Sequence, residues 1–509
     1  MVKPAQHAEI TSGNASSVPS DQFALSKRNQ HFLLWVLAAL FSLRLLAIFW
    51  LPFYDLTEAR YAEIARKMLE TGDWITPQFD YGVPFWGKPP LHTWLSALGM
   101  KIFGVGPFGA RIFIFAAAIS VLGLVFGWLR LHRGRDVALV VTVVLASSLM
   151  FFGAAAYVMT DMAMVLGTTL SMVGFYNCLT CPQSRVFWGR LFFVGLAIGL
   201  LSKGPVAMVL TMIPLGIWVV LGWRWRGLLS LPWVSGIIIM LVLTLPWYIA
   251  AEIKTPGFLN YFIIGEHYER FVVSGWQGDL YGSGHARPKG IIWLYWLGTF
   301  LPWTFFAIAL LLRPKKLRHA ASNDANGWYS YLALWAIAPP LLFTPAANLL
   351  PAYVLPGLPA SAALFVSLWV DMRGAPSIAA RRAFFVAIAA MLALYTALAS
   401  IALISPATIS SRSEKALVDA AWGAAPDAQI TYWGERSFSA EFYTRGQVHF
   451  TDETAALEGM VDNGIQDAVA VPLAQEDAVA PYLADGFERI GPFGGRVLFV
   501  EISTAGDQS

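Results

Sequence analysis

Charge is what this sequence has least of. Asp, Glu, Lys and Arg make up 13% of its 509 residues against 57% hydrophobic ones, where an ordinary soluble domain carries about 25% charged residues. A chain so poor in charge needs lipid around most of its length, which excludes a purely soluble enzyme. Cysteine is nearly absent as well. Cys178 and Cys181 stand at the end of an apolar run with no His or further Cys beside them, so their C-x-x-C spacing is read as incidental and not as a metal site. The formal net charge is +3. The basic residues gather in short loops between apolar runs, a pattern that orients membrane proteins and implies no nucleic-acid partner. No repeat with matching broken helices is visible, which weighs against many secondary transporters.

What the chain has in abundance is apolar runs of the ~17–25 residues that cross a ~30 Å hydrocarbon core. They fall at 32–51, 110–129, 137–157, 162–179, 187–202, 205–222, 231–250, 290–312, 328–344, 350–370 and 383–404. The expected fold is an all-α polytopic membrane protein of about 11–13 transmembrane helices. Residues 1–30 are polar and lack the apolar core and cleavage site of a signal peptide; they are expected to be a disordered cytoplasmic tail ahead of a membrane domain over 31–405. From about residue 410 to 509 acids return, with β-like runs at 429–433, 468–471 and 497–502, which predicts a small α/β domain outside the membrane.

Basic clusters at Arg130 to Arg135, Arg185 to Arg190, Arg224 to Arg226, Arg313 to Arg318 and Arg373 to Arg382 fall on one side if the short run 91–103 does not cross. The positive-inside rule makes that side cytoplasmic. The loops 52–109, 158–161, 251–289 and 345–349 and the C-terminal domain then lie on the other side. Within the first of these, residues 57–70 show helical spacing, with Tyr61, Ile64, Ala65, Met68 and Leu69 on one face and Gly72 to stop the helix. Such an amphipathic helix is suited to the membrane surface.

The unusual polar residues collect in these non-cytoplasmic loops. Asp55-Leu-Thr-Glu58-Ala-Arg60-Tyr61 sets two acids, a cation and a phenol at the lipid boundary, suited to a polar head group or a proton; a capped helix start in a solvated loop is the plainer reading. Lys88 precedes Pro89 and Pro90, whose fixed φ angles hold its ammonium at interface height, where it suits a phosphate or simply snorkels. Asp161 lies beside hydrocarbon, which calls for a polar cavity or a solvated loop. Lys203 ends an apolar run before Gly204 and Pro205. Glu266, His267 and Arg270 are followed by Asp279, Tyr281 and His285. If 266–271 is helical, Glu266 and Arg270 pair across one turn. The two histidines and nearby acids leave a divalent metal open.

Taken in order, the motifs resemble a known family. Asp-x-x-Glu-Ala-Arg-Tyr-Ala-Glu-Ile-Ala-Arg at 55–66, Gly72-Asp73-Trp74 with Pro77, Lys88-Pro-Pro-Leu91, Asp161-Met162, Ser202-Lys-Gly-Pro205, Leu245-Pro-Trp247, Glu266-His267 with Arg270-Phe271, and Tyr353-Val-Leu-Pro356 resemble the bacterial ArnT-like glycosyltransferases. These are GT-C enzymes related to protein O-mannosyltransferases. The resemblance runs from the first span to about residue 370. It implies a transferase of the bacterial inner membrane that takes a sugar from a polyprenyl-phosphate donor on the periplasmic face and passes it to a lipid or other envelope acceptor. The best-known members modify lipid A phosphates with 4-amino-4-deoxy-L-arabinose.

Carried over by position, Asp55 and Asp161 match the family acids, with Glu58 beside the first. Lys88, Lys203 and Arg270 match the cations near the donor phosphate, with Arg60 as a further candidate. Tyr61, Glu266, His267, Tyr353 and His285 are expected around the substrate. Three departures stand out. Gly87 replaces the carboxylate that, in metal-binding relatives, would act with the histidine matching His267. Thr57-Glu58 replaces adjacent acids, and Asn348 or Leu349 stands where a lysine usually precedes the Tyr-x-x-Pro segment. A lipid-linked sugar transporter or flippase is the alternative reading. It would place its ionisable residues deep within paired spans, as only Arg44 is placed here.

Overall fold

Each expected span folds as one helix or as a broken pair. The computed structural model describes residues 23–282, 285–315, 317–318, 324, 327–373, 378–404, 412–461, 463–484 and 486–502. Helix α1 covers Lys27–Trp50, α2 Thr57–Thr71, α3 Leu91–Phe103, α4 Pro107–Arg133, α5 Arg135–Ser147, α6 Leu149–Ala154, α7 Thr160–Thr180, α8 Arg185–Lys203 and α9 Pro205–Leu221. Further long helices are Trp233–Lys254, Trp328–Phe343, Leu358–Arg373 and Ile378–Ile404, with a pair at Ile291–Thr299 and Trp303–Leu311 bent by 112°. Among the described residues, seven helices are long and apolar enough to cross a membrane, or up to eight if the bent pair is one span. The chain is a multi-span membrane protein.

Two boundaries differ from expectation. Residues 27–30 belong to α1, whose start is capped by the Ser26 hydroxyl accepting from the Asn29 amide, while residues 1–22 of the tail expected over 1–30 lie outside the described residues. The run at 137–157 breaks at Ser147 and Ser148, whose hydroxyls donate back to the carbonyls of Val143 and Leu145. Such back-bonding competes with the helix ladder.

Helices α7 and α8 approach closely because small residues line their seam. A Cβ on Gly195 would lie 2.5 Å from the Gly167 carbonyl oxygen and 2.4 Å from the Ser171 hydroxyl. That contact replaces the hydrophobic drive that lipid removes. Gly195→Leu is expected to force the pair apart and cost about 1–3 kcal/mol. An unchanged thermal midpoint in detergent would show that the seam tolerates side chains.

Helix α2 does not turn its apolar face to lipid, as its sequence pattern suits; that face packs inside the protein. Tyr61, Ile64, Ala65 and Met68 pack against Phe53, Phe85, Ala97 and Met100. The opposite, polar face is buried too, since Glu63, Arg66 and Lys67 are all under 5% exposed. The C-terminal domain covers it. Arg66 pairs with Glu63 at 2.7 Å, and Lys67 reaches Glu441 of that domain at 3.0 Å.

The C-terminal domain holds a five-stranded sheet. With β1 Gln78–Asp80 and β2 Val83–Pro84 forming a ribbon after α2, its strands are β3 Gln429–Trp433, β4 His449–Thr451, β5 Asp467–Pro472, β6 Phe487–Phe493 and β7 Arg496–Glu501, in the order β4-β3-β5-β7-β6. β4, β3 and β5 are parallel, and β7 runs antiparallel to both β5 and β6. Alternate residues enter two cores. Ala468, Ala470, Leu498 and Val500 meet Leu417, Val418 and Ala421 on one face, while Val469, Val471, Val497 and Phe499 meet Leu457, Val479 and Leu483 on the other.

Glu414 caps the first helix of this domain, Lys415–Ala424, and its amide donates to the Ser439 hydroxyl. Burial pushes its carboxyl up to about 7 although Arg496 stands 3.6 Å away. The folded state therefore holds a proton that the unfolded chain, titrating near ~4.3, releases earlier. The contribution to stability is present below that value and is lost as pH rises towards about 7. Melting midpoints should fall across this window, and Glu414→Gln should flatten the fall. Equal slopes in the two proteins would remove Glu414 as the cause.

Candidate active site

Three cations are delivered to one place by three different local devices. Lys88 follows the β1–β2 ribbon and precedes Pro89 and Pro90, the latter being the cap of α3. Two successive prolines leave its backbone little freedom. Its Nζ lies 2.6 Å from Glu266 Oε2 and also donates to the Gly87 carbonyl. Lys203 is the last residue of α8. Gly204 turns the chain with φ +80° into α9, and a Cβ there would meet the Phe262 ring at 2.5 Å, so glycine permits both the turn and the close approach. Lys203 Nζ lies 2.5 Å from Asp161, in the first turn of α7, and 4.5 Å from the centre of the Tyr353 ring.

Arg270 comes from the segment after the Trp233–Lys254 helix. Residues Tyr261–Glu269 wind as a π-helix, with a short α-turn at Arg270–Val272. The stretch 266–271 is thus helical, mostly with π winding. The wider turn still leaves Glu266 and Arg270 paired at 3.0 Å, and Arg270 adds Asp279 at 3.2 Å. Asn348, which with Leu349 stands where a lysine usually precedes the Tyr-x-x-Pro segment, fixes this turn from across the chain. Its amide donates to the carbonyls of Arg270 and Val273, both at 2.7 Å, and its oxygen accepts from Gly275.

Lys88, Lys203, Glu266, His267, Arg270 and Tyr353 line a cavity of about 80 Å³ whose other wall includes Met164, Leu210, Phe271 and Phe343. Asp161, Glu266 and Asp279 balance the three cations. Burial alone would raise the Glu266 carboxyl, but Lys88 and Arg270 outweigh it and hold the group below its usual value. Glu266 is thus an anion seated between two cations.

The remaining candidates lie elsewhere. Asp55 accepts from the Ser437 hydroxyl at 2.8 Å and from the Ser439 amide and hydroxyl at 3.0 and 2.6 Å. It therefore joins the first loop to the C-terminal domain. Glu58 is held by Arg111 at 2.7 Å and by the Val158 amide at 3.2 Å. Tyr61 packs against Phe85 and His92 in the core behind α2. Arg60 donates to the Tyr281 carbonyl, next to the Asp279 turn. His285 is exposed, and its carbonyl accepts from Leu349. Sequence reasoning passed over Arg111, though an isolated cation near the start of an apolar helix is the kind of residue that signals a partner.

Residues 30–262 match the family described as dolichyl-phosphate-mannose-protein mannosyltransferase. A relative from Pseudomonas paraeruginosa, named undecaprenyl phosphate-alpha-4-amino-4-deoxy-L-arabinose arabinosyl transferase, is 30% identical over 397 residues, covering 75% of this chain and 68% of the relative. The chain belongs to the ArnT-like family of that relative. A relative of the same name from Edwardsiella ictaluri is 32% identical over 307 residues, which is 59% of this chain and 52% of that protein; the match thus spans about half of the relative. The crystal structure of ArnT from Cupriavidus metallidurans bound to undecaprenyl phosphate superposes with a TM-score of 0.73 at 17% identity, covering 94% of this chain and 100% of that one. The two share a fold.

The donor set here does not fit the divalent metal that the sequence leaves open. His267 places Nδ1 2.7 Å from the Phe262 carbonyl and Nε2 3.2 Å from the Lys203 carbonyl; a neutral ring can donate to only one of them, and both nitrogens face backbone oxygens and not carboxylates. Burial also lowers its imidazole pKa, favouring the neutral ring. Gly87 supplies no carboxylate, and a Cβ there would already touch the Phe85 ring at 3.0 Å. Among the described residues, no group of three or more His, Cys, Asp or Glu side chains is placed to hold a metal.

Proposed function

We propose that this chain is an inner-membrane glycosyltransferase that moves a sugar from a polyprenyl-phosphate donor to an envelope acceptor, lipid A among the candidates, on the periplasmic face. One observation carries the reading: Lys88, Lys203 and Arg270 converge on a cavity whose other wall is apolar. Such a cavity suits a phosphate attached to a hydrocarbon tail. The names of the relatives, and the undecaprenyl phosphate bound in the Cupriavidus protein, support the same donor.

The chemistry follows from charge. A sugar–phosphate–lipid diester carries one negative charge, and breaking the sugar C–O bond places a second on the departing phosphate. Preorganised cations gain more from the second charge than from the first, so they favour the transition state over the bound donor. Lys88 and Arg270 stabilise the leaving oxygens in this scheme, Lys203 assists, and Tyr353 and His267 shape the wall. Asp161, held by Lys203, orients the acceptor or receives its proton if that acceptor is a hydroxyl.

Orientation is part of the proposal. Arg133 pairs with Asp371 at 2.6 Å, which supports placing the basic loop after α4 and the end of the Leu358–Arg373 helix on one side. The positive-inside rule makes that side cytoplasmic and the candidate cavity and C-terminal domain periplasmic. The test is reconstitution in lipid nanodiscs with an undecaprenyl-phosphate-linked aminosugar and lipid A, read by mass spectrometry. Sugar appearing on the lipid supports the proposal. In proteoliposomes, donor crossing the bilayer without any transfer would identify a flippase instead.

A further inference from the structure

Lys88 and Arg270 come from loops far apart in the chain, so something has to fix the distance between them. The ion pair of Lys88 with Glu266, at 2.6 Å, does part of this. A phosphate arriving between the cations competes with that pair, and the spacing then needs a brace that the ligand does not touch. Tyr281 has the bonds of such a brace. It is 7% exposed and stands outside the residues lining the cavity. Its hydroxyl donates to the Pro84 carbonyl at 2.8 Å and accepts from the Trp86 amide at 3.0 Å. In an extended segment the carbonyl of one residue and the amide two residues on point to the same side, where a neighbouring strand would pair with them. Here a single hydroxyl, able to donate and accept at once, takes that strand's place. It holds the chain from Pro84 to Trp86, which leads directly into Gly87 and Lys88.

The main chain of Tyr281 serves the other cation. Its amide donates to Asp279 Oδ1 at 3.0 Å, which leaves Oδ2 to meet Arg270 Nη1 at 3.2 Å. Its carbonyl accepts from Arg60 of α2. Every polar group of Tyr281 is thus spent on one of the two loops or on α2. The ring is held as firmly, 4.7 Å from Phe85, 5.1 Å from Phe79 and 5.9 Å from Tyr261 between centroids. Gly87 belongs to the same arrangement. A Cβ there would lie 3.4 Å from the Tyr281 ring and 3.0 Å from the Phe85 ring, so the missing side chain lets the turn before Lys88 close down on both.

We infer that Tyr281 is a positioning residue that sets the spacing of Lys88 and Arg270: its hydroxyl clasps the chain leading into the first, and its amide aims the second through Asp279. That the two cations serve a departing phosphate rests on the transferase reading. That Tyr281 spaces them does not.

The test is Tyr281→Phe in the full chain in nanodiscs, beside Lys88→Ala, Phe79→Leu and the double variant of Tyr281→Phe with Lys88→Ala. Donor-dependent transfer is one readout, and binding of undecaprenyl phosphate followed by native mass spectrometry is the other. Phenylalanine keeps the ring and loses only the hydroxyl. Its kcat should fall by about 10²-fold, the scale of a small misplacement acting from outside the chemistry, with KM little changed. Undecaprenyl phosphate, which carries the charge of the departing group, should bind about 10-fold more weakly, as when a hydrogen bond to a charged group is spoiled. In the Lys88→Ala background the same change should add little to either loss, because the hydroxyl acts through the ammonium it places. A tyrosine that merely held the fold would cost the same factor in both backgrounds. Phe79→Leu, which loosens the packing on the same ring and leaves the hydroxyl in place, should lower the thermal midpoint and keep kcat. The assignment is overturned if Tyr281→Phe transfers and binds like the unaltered chain, if its losses multiply in full with those of Lys88→Ala, or if Phe79→Leu loses as much kcat. Failure of Tyr281→Phe to fold would overturn it too, by making the hydroxyl a support of the fold alone. Coupled loss of undecaprenyl phosphate binding in a protein that transfers no sugar would count against the transferase reading and leave the role of Tyr281 standing.

Discussion

Lys88→Ala is expected to lower donor-dependent sugar transfer by about two to three orders of magnitude, the usual effect of removing one preorganised electrostatic donor. The loss should fall mainly on kcat, because the ammonium meets its full complement of charge only when the C–O bond breaks. Folding should survive. Without Lys88, Glu266 still has Arg270 at 3.0 Å, so no carboxylate is left buried and alone. Lys88→Arg should recover only part of the activity. The arginine fork needs a plane in which to lie, and the position between Pro89 and Glu266 was built around a compact ammonium. Purified variants of equal thermal midpoint, compared by single-turnover transfer, give the measurement. Transfer by Lys88→Ala at the rate of the unaltered chain would place the departing phosphate elsewhere.

How much of this was legible in advance depended on whether the information is local. The membrane spans were legible because each is encoded within its own stretch of about 20 residues. Lys88, Lys203, Glu266 and Arg270 were legible because each carries a local marker, a proline or glycine beside it or an ion partner one turn away. Partners far along the chain were not legible. Nothing near Asp55 announces Ser437 and Ser439, 382 and 384 positions away. Nothing near Glu58 announces Arg111. The strand β6 escaped notice because Gly491 and Pro492 sit inside it, residues that normally mark turns but are tolerated in a strand at the sheet edge. The pattern of α2 also misled for a physical reason: a polar helix face is equally compatible with water and with a charged partner surface, and only the tertiary fold decides between them.

That partner surface yields the largest expected effect on stability. Lys67 is 1% exposed and carries Glu441 at 3.0 Å, Asp80 at 3.4 Å and Glu63 at 3.7 Å. Removing one member of a buried ion pair typically costs 3–5 kcal/mol, since the remaining charge is left without compensation. Here the cost is tempered. Glu63 keeps Arg66 and Glu441 keeps Arg436, so each acid retains one cation after the change. Lys67→Met, which preserves most of the side-chain volume, is therefore expected to destabilise the protein by about 3 kcal/mol, the lower end of that range. The loss should be felt at the junction between α2 and the C-terminal domain. Hydrogen exchange should accelerate together in residues 57–71 and 437–444. Lys415→Ala is the comparison: its partner Asp419 is 59% exposed, and such pairs contribute about 0–1 kcal/mol. Adding Glu441→Leu to Lys67→Met should restore part of the stability, because it removes an acid that has lost one of its two cations and replaces it with an apolar group. If Lys67→Met proved no more disruptive than Lys415→Ala, the buried charges of α2 would not be what holds the C-terminal domain over the first loop, and the aromatic contacts of Phe53 with Phe442 and Tyr443 would have to carry the junction.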